Sequence, residues 1–194
     1  MLHDDAIYIH GAQQYHVEYN KTKEKKTLEF TQQLYDLTLK VFGKDDENAD
    51  QLALNNAILM MATDKFEEAA AEFERLIQMK PDGKFVDLAG EQAVLAYLKV
   101  LERRNKEDQT KLKNEREEDL KPIELPPEDK RFANAVDRWM SIIARKGENP
   151  ESKSNIPAAR FASAKLYYNY NHFPEAAQRF AAFLDKHPGH PAEN

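Results

Sequence analysis

The chain has 194 residues, 34 acidic against 28 basic for a net charge of −6, and no cysteine. The acidic balance excludes a broad nucleic-acid surface, which needs a basic excess, and the missing cysteine excludes disulfides, thiolate metal sites and a Cys nucleophile. Nowhere do about 20 apolar residues run together as a bilayer span requires, the start Met1-Leu2-His3-Asp4-Asp5 lacks the parts of a secretory signal, and 41% hydrophobic residues predict a soluble folded chain.

Apolar spacing predicts helices from end to end, with no period-2 strand alternation over more than a few residues. Residues 1–43 read as a degenerate helix pair. Ala6–Asn20 carries Tyr8, Ile9, Ala12 and Tyr15, and Thr27–Phe42 carries Leu28, Phe30, Leu34, Leu37, Leu39 and Val41. Gly43 is the stop, and Lys21–Lys26 is either the turn or the polar start of the second helix. The acidic stretch Asp45-Asp46-Glu47-Asn48 reads as a capping linker, since it lacks the spaced ligands and Gly of an EF-hand loop. A second pair spans 50–83. A third, enlarged pair spans 85–147. Its first helix, about Phe85–Arg104, carries Leu88, Ala89, Ala93, Ala96 and Tyr97; its second, about Glu128–Lys146, carries Phe132, Val136, Trp139, Ile142 and Ile143, with Gly147 as the stop. Between them lies an insertion, 105–127. From Glu102 to Lys121, 14 of 20 residues are charged, seven of each sign, which leaves no apolar stripe to bury. Pro122-Ile123-Glu124-Leu125-Pro126-Pro127 then forbids helix. The insertion is either a solvated loop or helical extension, or a segment that orders on a partner. The last pair spans 157–190, and His187-Pro188-Gly189-His190-Pro191 reads as a loop leading into a further helix, so the natural chain is expected to continue.

Two of these pairs share a spacing. Ala69 is followed by Phe73 and then, eight residues on, by Pro81; Ala176 is followed by Phe180 and, eight residues on, by Pro188. Ala57 and Ala164 stand twelve residues before each leading alanine. Small residues at such positions let antiparallel helices approach closely, and a proline ends the second helix. This pattern resembles the tetratricopeptide repeat, a helix–turn–helix unit with A-x3-F…P in its second half. In the first helix the match is thinner: Ala53, Asn56, Ala57 and Met60 in one unit, and Arg160, Ser163, Ala164 and Tyr167 in the other, keep only the small residue throughout. The resemblance implies a fold class: all-α, a right-handed solenoid of antiparallel pairs with about eight helices, forming one domain over 1–194.

Catalytic chemistry finds no foothold. The six histidines, 3, 10, 16, 172, 187 and 190, include no H-E-x-x-H pair, and His10 and His16 fall on different faces of a helix. Gly43-Lys44 and Gly83-Lys84 lack the glycine-rich loop of a phosphate cradle. None of the four serines, 141, 152, 154 and 163, sits in a nucleophile elbow. Pairs such as Glu67-Glu68 lie on polar, solvated helix faces. No catalytic residue, metal or cofactor is predicted.

Arrays of paired helices bind partners along their first helices. The family's groove positions, carried onto this sequence, are Leu54, Ile58 and Met61, then Val94, Tyr97 and Leu98, then Phe161, Lys165 and Tyr168. Tyr168 and Phe161 are the sharper candidates, since aromatics anchor interfaces. Leu54 and Ile58 stand where the chaperone-binding branch has its first Lys and Asn, so a chaperone tail is a poor fit. The phrase Phe180-Ala181-Ala182-Phe183-Leu184-Asp185-Lys186-His187-Pro188-Gly189-His190-Pro191-Ala192, a Phe-rich helix ending in His, Pro, two residues and Pro, also resembles repeats of bacterial envelope proteins of the outer-membrane assembly and Tol–Pal coordinator type. That implies a non-enzymatic protein-interaction scaffold, periplasmic or outer-membrane-associated, within an assembly, secretion or motility machine, with protein partners and neither nucleic-acid binding nor membrane insertion. The alternatives are a structural spacer of a longer array and a cytoplasmic adaptor.

Overall fold

The computed structural model describes residues 2–42, 49–108, 121–148, 153 and 155–189. Gly43, the acidic 45–48 segment, 109–120, Ser152, Ser154 and His190 lie outside these residues, as do the side chains of Tyr8 and Ile9. Among the described residues the structure is all helical, with eight helices and no strand. The chain divides into two compact units, Met1–Ala89 and Gly90–Asn194.

The first unit contains α1 (Leu2–Thr22), α2 (Lys25–Phe42), α3 (Ala49–Ala62) and α4 (Phe66–Met79). Helices α1 and α2 pair across a turn in which Lys23 takes φ 56° and its N–H bonds the Tyr19 carbonyl at 2.8 Å. Thr22 therefore ends one helix and Lys25 begins the next. Ala12, Tyr19, Tyr35, Leu52 and Leu59 form the core shared by α1, α2 and α3. Inside it His16 Nδ1 and the Tyr35 hydroxyl lie 2.7 Å apart. Burial, then the Lys23 charge, lowers the His16 pKa, and burial pushes the Tyr35 hydroxyl up to about 12.

Helix α5 (Val86–Asp108) begins in the first unit and from Gly90 onward belongs to the second, with α6 (Pro127–Lys146), α7 (Asn155–Asn169) and α8 (Phe173–Lys186). Helices α5 and α6 run antiparallel. At one end, a Cβ on Gly90 would stand 2.8 Å from Trp139 Cδ1; at the other, Arg104 ion-pairs with the buried Asp129, which also accepts the Tyr170 hydroxyl at 3.2 Å. The helix runs to Asp108, four residues past the expected end at Arg104 and seven past Leu101, its last apolar side chain.

The non-helical stretch 121–126 is stitched to the α7–α8 turn. The Ile123 N–H bonds the Tyr170 carbonyl at 2.9 Å, the Ile123 carbonyl accepts from His172 Nε2 at 2.7 Å, and the Lys121 carbonyl accepts from Asn171 at 3.1 Å. Pro127 then opens α6 at a first-turn position where no N–H is needed.

The pairs α3–α4 and α7–α8 match at a constant offset of 107 residues, the separation of Ala69 and Ala176. Both turns close through one left-handed residue, Asp64 and Asn171, each with φ 60°. The next residues, Lys65 and His172, each bond a carbonyl five residues back, at 3.0 and 2.9 Å. Ala57, Ala69, Ala164 and Ala176 are all buried, as are Asn56 and Ser163, and Leu76 and Phe183. The alanines sit where the paired helices cross, since no larger side chain fits at such close approach.

Candidate functional site

The nine first-helix positions fall into different environments. On α3 of the first unit, Leu54 is buried, Met61 is half-buried and Ile58 is 39% exposed. In the second unit, Val94 and Tyr97 on α5 are buried and Leu98 is half-buried. On α7, Lys165 and Tyr168 are exposed, Tyr168 at 56% with its ring edge-on to Phe173 at 5.5 Å. Phe161 is half-buried and contacts the rings of Phe180 and Phe183, each at 5.6 Å. Leu54, Val94 and Tyr97 are thus buried, while Ile58, Lys165 and Tyr168 face solvent.

A feature that periodicity does not reveal lies beside α7. Helices α6, α7 and α8 border an open cavity of about 280 Å³. Val136, Met140 and Ala182 supply its apolar wall, and Asp137, Glu175 and Arg179 one polar side. Arg179 is saturated. Its Nε donates to Glu175 at 2.7 Å, its two terminal nitrogens reach Asp137 at 2.6 and 2.7 Å, one of them also donates to Ser163 at 2.9 Å, and the guanidinium lies 4.6 Å from the Tyr167 ring centroid. Burial opposes that charge, but the bonds to Asp137 and then Glu175 outweigh it and hold the pKa above the ordinary arginine value.

Arg160, which also lines the cavity, is in the reverse condition. Its Nε is buried without a hydrogen-bond partner. Burial pulls its pKa down, with the Glu148 carboxylate opposing. In the other matched pair this position, 107 residues earlier, is the fully buried Ala53. The one legible signal was a departure from the repeat: an arginine where its counterpart has a methyl group.

Among the described residues no three His, Asp or Glu side chains gather as a metal would require, and no helix is long and apolar enough to cross a membrane. No protein-family model matches the chain, and no curated protein matches it.

Proposed function

We propose that this chain is a non-enzymatic protein-interaction scaffold that holds a partner segment along the first helices of its tetratricopeptide-like pairs. The observation that carries the reading is the pairing of a buried, alanine-crossed back with a solvent-facing aromatic. On α7, Ala164 and Leu166 are buried, Leu166 on the side of the helix opposite Tyr168, while Tyr168 is 56% exposed beside exposed Lys165. On α3, Ala57 is fully buried and its neighbour Ile58 is 39% exposed. An exposed aromatic fixed by an edge contact loses little entropy on binding, which is why such residues anchor interfaces. The likeness of the 180–192 phrase to envelope repeats favours a machine of the bacterial envelope, on its periplasmic side, as the setting.

Tyr168→Ala combined with Ile58→Asp, used as bait against envelope extracts with crosslinking, tests the reading. Capture of a defined protein by the unaltered chain, lost in the variant at unchanged circular dichroism, is the expected result. Capture that survives substitution of all the exposed first-helix positions defeats it.

A further inference from the structure

Two helix faces of this chain are apolar and uncovered among the described residues, and both repeat with the same spacing. On α8, Phe173, Ala177, Phe180 and Leu184 recur at intervals of four, three and four, turned away from Arg179 and its bond to Asp137 of α6. Ala177 and Leu184 are exposed, and Phe173 and Phe180 are half-buried. In the matched pair, 107 residues earlier, that face is closed: Ala70, Phe73 and Ile77 are all buried. There the chain turns back after α4, and Val86 and Ala89, at the start of α5 in that unit, are fully buried. The face is thus one that takes a further helix. On α2, Phe30, Leu34, Leu37 and Val41 repeat the four-three-four spacing, turned away from Gln32 and Asp36, which reach Lys65 and Asn56. Leu34 is half-buried, the other three are exposed, and exposed Tyr15 of α1 stands edge-on to Phe30 at 4.6 Å. Stacked helix pairs that keep a face in water carry polar residues on it; these two do not.

We propose that the two faces are halves of one contact between copies of this chain: the α8 face of one copy seats the α2 face of the next, head to tail. Helices with side chains at such intervals pack with their rows interleaved, and the small Ala177 leaves room for a ridge of the partner. Charge selects this pairing over a contact of like faces. Lys26 and Lys40 flank the α2 stripe on its edge away from α1, and Asp185 flanks the α8 stripe on its edge away from α7. On the other edges, Glu18 lies one turn from Tyr15 on α1, and Lys165 lies one turn from Phe161, whose ring meets Phe180. With α2 on α8 and α1 on α7, each edge meets the opposite charge, whereas two α2 faces would set Lys26 and Lys40 against the same lysines. The units agree: residues 1–89 carry 17 acidic and 10 basic side chains, a net −7, and residues 90–194 carry 17 and 18, a net +1. Each copy keeps one face of each kind, so the contact is heterologous and builds rings or filaments. Of the nine first-helix positions only Lys165 borders a face, so the proposal stands whether or not those helices hold a partner.

Sedimentation equilibrium of the whole chain, from about 1 µM to about 1 mM, tests this. The unaltered chain should pass the mass of a dimer as concentration rises. Leu37→Glu blocks the α2 face and Leu184→Glu the α8 face; both positions are exposed, and unchanged dichroism shows that each variant folds. Val41→Glu and Ala177→Glu are second substitutions of the same faces should either first one unfold the chain. Each variant alone should associate at least about a hundredfold more weakly, because the contact would bury an unpaired carboxylate. Mixed in equal amounts, an α2-face variant and an α8-face variant should form a 1:1 dimer and nothing larger, since each supplies the face that the other has lost. A contact of like faces would survive one of the two substitutions in full, and a cover supplied by a different protein would leave the chain monomeric. A chain that is monomeric to about 1 mM, a folded variant that associates as before, or a mixture that stays monomeric overturns the proposal.

Discussion

Asp64 and Asn171 show how single residues set the shape of a helix pair. Each holds φ 60°, where an L-residue suffers a clash between Cβ and backbone that Asp and Asn tolerate better than most. Valine at either position should therefore lower stability by about 1–2 kcal/mol, while glycine should hold or raise it. Thermal unfolding followed by circular dichroism measures both, and a silent Asn171→Val would contradict the left-handed turn. His16 and Tyr35 give the residue scale its pH dependence. With its folded pKa below 6.5, His16 binds fewer protons in the folded than in the unfolded chain as pH falls through 6.5, so stability drops there. Tyr35 has the opposite sign: its folded pKa of about 12 against an ordinary 10 makes stability fall as pH rises between those values. Denaturant midpoints across pH should show both slopes, and His16→Gln should flatten the acid one.

Helix by helix, Gly90 is the most exacting contact. Alanine in place of a mid-helix glycine ordinarily adds about 1 kcal/mol, but here the new methyl would stand 2.8 Å from the ring of the buried Trp139. Overpacking of that kind costs about 1–3 kcal/mol, so Gly90→Ala should destabilise the second unit and shift the Trp139 emission. Trp139→Leu in the same chain should remove most of the penalty. The helices themselves were legible because their apolar residues recur at helical spacing. Phe132, Val136, Trp139, Ile142 and Ile143 were expected on the inner face of α6, and all are buried. Less legible was where α5 ends: no stripe runs beyond Leu101, yet the helix reaches Asp108, and within that run Arg104 pairs with Asp129, 25 residues away. Periodicity could not sort the first-helix faces either. Tyr97 and Tyr168 look alike in a repeat alignment, yet one is 5% and the other 56% exposed, because exposure depends on what each helix packs against. The α6–α8 cavity draws on three helices at once, and only the arginine opposite Ala53 hinted at it.

At the scale of the molecule, the division into two units gives the chain two reporters. The sole tryptophan, Trp139, lies in the second unit, whereas His16 and Tyr35 lie in the first. Acidification through 6.5 should therefore lower the unfolding midpoint seen by far-ultraviolet dichroism more than the midpoint seen by tryptophan fluorescence. Coincident midpoints at every pH would mean that the units unfold as one. The stitching of 121–123 onto the α7–α8 turn has a different consequence. The main-chain bond from Ile123 to Tyr170 and the side-chain bond from His172 to the Ile123 carbonyl close a ring of chain that contains α6 and α7. A protease that nicked the backbone between 109 and 120 would leave that ring intact, and Gly90 against Trp139 with Arg104 on Asp129 would still clasp the severed α5. The charged insertion is thus a place where the protein can be cut, tagged or split into complementing fragments without unpicking the helices on either side.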